Sequence, residues 1–99
     1  MARKTNQNPS GTSFHDTVIY TTVNELLNLF PDSYSDGDGG YKVYHEFTLE
    51  TDDGDVFTIY DWKEYEDRGK YTEIEFHIGG FNRRITEQAR EELEEMLDL

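Results

Sequence analysis

The stretch Tyr41–Ile78 reads YKVYHEFTLETDDGDVFTIYDWKEYEDRGKYTEIEFHI. It holds three β-favouring segments, separated by Thr51–Asp55 and by Glu64–Lys70. In the first, Tyr41, Val43, Phe47 and Leu49 alternate with Lys42, Tyr44, Glu46, Thr48 and Glu50, and His45 shares the apolar parity. A period of two is the mark of a strand with one face buried. Asp53-Gly54 then predicts a hairpin turn, because glycine supplies the positive φ that a primed turn needs. The second segment, Val56–Trp62, is apolar on both parities: Phe57 and Ile59 on one, Val56, Tyr60 and Trp62 on the other. That pattern predicts a central strand covered on both faces, or one offering a face to a partner. In the third, Tyr71–Ile78, the parities separate cleanly. Ile74, Phe76 and Ile78 point one way, and Glu73, Glu75 and His77 the other.

Upstream of the sheet, Val18-Ile19-Tyr20 within Asp16–Thr21 predicts a short strand. Thr22-Val23-Asn24-Glu25 follows with capping-box spacing, and Val23, Leu26, Leu27 and Phe30 fall on one helical face. Pro31 ends that helix, because its ring is incompatible with a continuing ladder. Asp32–Gly40 (DSYSDGDGG) is an acidic, glycine-rich loop. Laid on the calcium-binding EF-hand frame from Asp32, it has Tyr34 at the third position and Val43 at the twelfth, where ligands are required. A solvated turn is the better reading. Downstream, Ile85, Ala89, Leu93, Met96 and Leu97 form a narrow apolar stripe on a final helix, with Glu87, Glu91, Glu92, Glu94, Glu95 and Asp98 on its other side. The expected fold is α+β in the order β-α-β-β-β-α. It has a small antiparallel sheet of three to four strands with two helices on one face. Met1–Ser13 is polar and aperiodic and predicts a disordered leader, which leaves residues 14–99 as a single domain.

Composition narrows the function classes. The chain has 99 residues, no Cys, 22 acids and nine Lys or Arg, a net charge of −13. Arg3 and Lys4 precede the first acid, so from Phe14 onward seven cations face 22 acids, or −15. Such a body repels nucleic acid and anionic membranes and attracts basic surfaces in a salt-sensitive way. The alternative is a charge that serves solubility alone. Seven Tyr, six Phe and one Trp supply the burial that a mean hydropathy of −0.87 would otherwise deny to a core. Without Cys there is neither disulfide nor thiolate metal site. No apolar run has the length of a membrane span or an export signal, so the cytoplasm is the expected location.

No catalytic signature is present. The serines stop at Ser35, no G-x-S-x-G occurs, and carboxylates are too numerous for any pair to stand out. His15, His45 and His77 are scattered singly. The expectation is a binding protein rather than an enzyme, with no cofactor and no metal. Two surfaces are candidates. On one parity of the sheet, Tyr44, Tyr60, Trp62, Glu73, Glu75 and His77 interleave aromatics with carboxylates, joined by Glu91, Glu94 and Glu95 on the last helix. Aromatics anchor protein contacts and acids select a basic partner. Spaced carboxylates can also imitate the phosphates of duplex DNA, at about one charge per 1.7 Å of axis. The rival is an anion pocket at Gly79, Gly80, Asn82, Arg83 and Arg84, gripping a phosphorylated signalling ligand. Arg83 and Arg84 equally suit pairing with neighbouring acids.

Ile59–Tyr65 (IYDWKEY) and Glu75–Gly80 (EFHIGG) resemble segments of small phage proteins. In size and acidity the chain is similar to phage anti-defence proteins, among them anti-restriction DNA mimics, uracil-glycosylase inhibitors and several anti-CRISPR proteins. That resemblance implies a stoichiometric inhibitor, acting in the host cytoplasm as a monomer or small homo-oligomer. It would occupy the nucleic-acid-binding groove of a basic host protein such as a nuclease, a repair enzyme or a CRISPR effector. The alternatives carried forward are a binder or sponge of a small phosphorylated ligand and a virion or assembly subunit.

Overall fold

Three antiparallel strands carry the core: β4 (Glu46–Glu50), β5 (Val56–Asp61) and β6 (Ile74–Gly80). They belong to a computed structural model that describes residues 1–35, 45–62 and 71–99. Phe47 pairs with Ile59, Leu49 with Phe57, and Ile59 with Ile78, so the apolar parities of the three strands share one face. The β4–β5 connection closes with Thr51 N–H donating to the Asp55 carbonyl (3.0 Å) and Gly54 N–H to the Thr51 carbonyl (2.9 Å). Gly54 takes φ +83° while Asp53 does not cross to positive φ. The turn is therefore longer than a two-residue primed turn, which needs at least its first central residue there.

The sheet is larger than the sequence predicts. Among the described residues it has six strands, in the order β1-β4-β5-β6-β2 with β3 also on β4. Here β1 is Arg3–Lys4, β2 is Ser13–Thr21 and β3 is Tyr34–Ser35. All pairings are antiparallel. Two-residue strands carry no periodicity, so β1 and β3 leave no trace in the hydrophobic pattern. β2 lies beside the last strand, β6, with Ile19 opposite Phe76.

Both helices begin as their sequences dictate. The Thr22 hydroxyl accepts from Glu25 N–H (3.1 Å) at the start of α1 (Val23–Leu29), and the Phe30 N–H closes the helix on the Leu26 carbonyl (2.8 Å). Asn82 Oδ1 accepts from Ile85 N–H (2.9 Å) to cap α2 (Arg83–Leu97). A single core takes Val23, Leu26 and Phe30 from the first helix and Ala89 and Leu93 from the second, against Ile19, Phe47, Leu49, Phe57, Ile59, Phe76 and Ile78. Only one sheet parity enters it, so both helices share one face. Among the described residues no helix is long and apolar enough to cross a membrane.

The expected leader, Met1–Ser13, takes part in this fold. Ala2 is buried in the core, and Arg3 donates to Glu50 through Nε (2.9 Å) and pairs with it through Nη2 (2.7 Å). The Met1 amino group pairs with Asp52. Because β1 sits on the β4 edge and β2 on the β6 edge, the residues between them must cross the sheet. They form a strap over the helix-free face, held by Gln7 Nε2 on the Gly54 carbonyl (2.7 Å) and on Glu50 (3.2 Å). Val56 and Thr58 lie on this outer parity and are nevertheless buried. The segment looks featureless in sequence because the bonds that fix its path, from Arg3 and Gln7, run to distant partners, and only Ala2 of it enters the core.

Candidate functional site

Beyond the strap, the outer sheet face carries an aromatic cluster built from two cross-strand rows. Thr48, Thr58, Gly79 and Phe14 stand side by side in one row, and Glu46, Tyr60, His77 and Val18 in the next. Between Phe14 and Val18 the second strand advances four positions while β6 advances two, Gly79 to His77. Asp16 at φ +65° absorbs this bulge. Phe14, opposite a glycine, lays its ring on His77, with centroids 4.0 Å apart and planes 14° from parallel. Trp62 stacks on the same imidazole at 6.2 Å, and Tyr60 meets it edge-on at 5.6 Å. Tyr60 and Trp62 are themselves T-shaped, at 6.2 Å and 82°.

Carboxylates rim the rings. Glu75 accepts from the Tyr20 hydroxyl (2.8 Å) and lies 3.6 Å from His77 Nε2. Burial pulls the His77 pKa below its ordinary 6.5, and the Glu75 carboxylate offsets part of that shift. His77 is therefore neutral at pH 7. Burial, and secondarily the charge of Glu46, raises the Tyr60 phenol, while the bond to Glu75 raises that of Tyr20. Phe14 (37% exposed), Trp62 (39%) and Tyr20 (53%) leave a wide apolar area open beside these acids. Neutral rings with a carboxylate border form a surface suited to cations and to protein anchors.

Of the residues expected at a partner surface, Tyr60, Trp62, Glu75 and His77 come together here. Glu73 is exposed one position before β6, on the same parity. Tyr44 lies outside the described residues, as does most of the acidic loop from Asp36. Glu91, Glu94 and Glu95 belong to α2, on the opposite layer, so a single flat contact does not include both sets. Phe14, Tyr20 and Glu46 join the site without having been singled out from sequence. For Tyr20 and Glu46 the alternation carries a signal. Phe14 becomes visible only once β2 is known to lie beside β6.

The residues of the rival anion pocket are placed differently. Gly79 and Gly80 are the last residues of β6 rather than a loop. Each is a point of close approach: a Cβ on Gly79 would stand 2.7 Å from Thr58 Oγ1, and one on Gly80 2.9 Å from Thr86 Cγ2. Asn82 spends its side-chain oxygen on the helix cap. Arg83 faces Glu87 at 3.4 Å and Arg84 faces Asp55 at 3.9 Å. The three histidines have separate surroundings: His15 bonds the Gly80 carbonyl (3.1 Å), His45 the Tyr34 hydroxyl (2.6 Å), and His77 sits in the cluster. Among the described residues no group of three His, Asp or Glu converges as a metal site would require.

No family model, curated protein or solved structure matches this chain.

Proposed function

We propose that the protein is a non-catalytic inhibitor that docks on the basic, nucleic-acid-binding surface of a host protein through the outer face of its sheet. The observation that carries this reading is the cluster of Phe14, Tyr60, Trp62 and His77, with Phe14 and Trp62 open to solvent and Glu46 and Glu75 at its border, on a body of charge −13. Aromatic rings supply desolvated anchor area, and the surplus of acids steers a basic partner onto it. The acids of α2 extend the negative field around the molecule without entering the same contact. Arg83 and Arg84 already face carboxylates, which weakens the phosphorylated-ligand reading.

The test is capture of bacterial proteins on the immobilised chain at low and moderate salt, with duplex DNA as competitor. The expected partner is basic, is lost as salt rises, and is displaced by the DNA. Binding drops at least about tenfold in a Trp62→Ala, Glu75→Lys variant, and changes little in a Glu91→Lys, Glu94→Lys, Glu95→Lys variant. The reverse pattern would move the contact to α2. Retention of a partner indifferent to both salt and DNA would end the mimicry reading.

A further inference from the structure

The two margins of the sheet are finished differently. Along the outer side of β4, β1 pairs with Leu49 and Glu50 and β3 with Glu46 and Phe47, so that edge is covered by strands of two residues each. β2 ends the sheet at the other margin, and among the described residues its one ladder partner is β6. We propose that this edge is a homodimer seam, where β2 pairs antiparallel with the β2 of a second copy about a two-fold axis. The inference goes beyond the docking reading and does not depend on it.

Past the bulge at Asp16 the strand runs Thr17-Val18-Ile19-Tyr20-Thr21, β-branched or aromatic throughout and without charge, Gly or Pro. This stretch carries none of the devices that keep sheet edges apart. Backbone groups in an antiparallel ladder point alternately toward and away from the partner strand, so half of those here face outward. Three observations make a second copy the occupant. The first is symmetry. A two-fold seam sets residue i against j and j against i, and this stretch reads alike in both directions about Ile19: Thr17 meets Thr21, Val18 meets Tyr20, and Ile19 meets its own equivalent. Thr–Thr and aromatic–β-branched pairs are both favourable across strands. The second is an unmet hydrogen bond. Thr21 Oγ1 is the one buried side-chain polar atom without a partner among the described residues, and this register places the second copy's Thr17 directly opposite it. The third is charge. Residues 1–24 hold Arg3, Lys4 and a single acid, Asp16, whereas the remaining residues hold 21 acids and seven cations. A molecule of charge −13 approaches its own copy most readily at its least acidic margin. The register keeps every residue on its own face, so both helical layers stay on one side of the joined sheet. On the other side, Val18 beside His77 meets the second copy's Tyr20, and the two aromatic clusters share one continuous face.

The test is sedimentation equilibrium of the full chain, whose mass is 11.6 kDa, with amide hydrogen exchange as a second readout. It is run in about 0.15 M salt, where long-range repulsion is screened. At about 0.1 mM, a hundredfold above a micromolar dissociation constant, the expected species is the dimer. Exchange within Thr17–Thr21 should slow as the concentration rises. Tyr20→Glu sets a carboxylate against Val18 twice across the seam and should weaken dimerisation about tenfold. Adding Val18→Lys puts the opposite charge across from it and should restore the dimer, which a simple loss of folding would not allow. A chain that stays monomeric at that concentration overturns the proposal. So does a dimer that Tyr20→Glu leaves intact, or one whose association leaves exchange in Thr17–Thr21 unchanged, since either places the contact elsewhere. An assembly of more than two copies overturns it as well, because a two-fold seam closes at two.

Discussion

His77 is the residue at which packing and protonation meet. Phe14 and Trp62 stack on its ring and Tyr60 meets it edge-on, while Glu75 is the acid beside it. Its folded pKa lies below the ordinary value of 6.5, so the unfolded chain takes up the proton first as pH falls. The stability that comes from keeping the ring neutral is thus complete above that value and is lost as pH descends toward the folded pKa. Urea denaturation midpoints should fall between about pH 7.5 and about pH 5.5. A His77→Gln variant should show a flatter profile across the same range. An equally steep profile in the variant would assign the dependence to other groups. The sequence alone places His77 on the outer parity with Tyr60 and Trp62, because simple alternation fixes which side a strand residue faces. It does not reveal Phe14, since stacking depends on a pairing with Gly79 far along the chain.

At the level of elements, Gly79 explains how the outer rows fit. Without a side chain there, the Phe14 ring can lean over β6 onto His77, and the Thr58 hydroxyl fills the space on the other side. Gly79→Ala pushes a methyl group to 2.7 Å from Thr58 Oγ1. The expected cost is about 1–3 kcal/mol of folding stability, the usual range for overpacking. Adding Thr58→Ala removes the clashing oxygen, so the double variant should lose less than the sum of the two single changes. Strict additivity, measured by denaturant unfolding, would show that some other contact sets the limit. The helices are legible in the sequence through their apolar stripes, the first also through Thr22 and Pro31, while β4 and β6 show by alternation and β5 as a β-favouring run apolar on both parities. The short strands β1 and β3 are not, because their existence depends on β4 lying alongside and on nothing within themselves. The same holds for the pair Gly79-Gly80, whose loop-like composition reflects crowding by Thr58 and Thr86.

Charge governs the behaviour of the molecule as a whole. A net −13 on a body 34 × 29 × 25 Å across repels itself at low salt. Raising the ionic strength from about 0.01 M to about 0.15 M shortens the screening length from roughly 30 Å to roughly 8 Å, and the melting temperature should rise with it. A flat or falling melting temperature would mean that local ion pairs, such as Arg3 with Glu50, outweigh the general repulsion. The acidity is plain from composition, but its distribution over two opposed faces depends on the layer arrangement. The N-terminal segment departs furthest from its sequence expectation, since a polar segment that straps a sheet has the same composition as one that does not. Its path also orders events during synthesis. The chain's first residues occupy both margins of the sheet: β1 on β4, and β2 on β6, where Val18 meets His77. At about 5–20 residues per second, β2 is made several seconds before β6, its ladder partner, exists. The strand made early is therefore among the last to be paired, and through that interval the newborn chain carries Val18, Ile19 and Tyr20 unshielded.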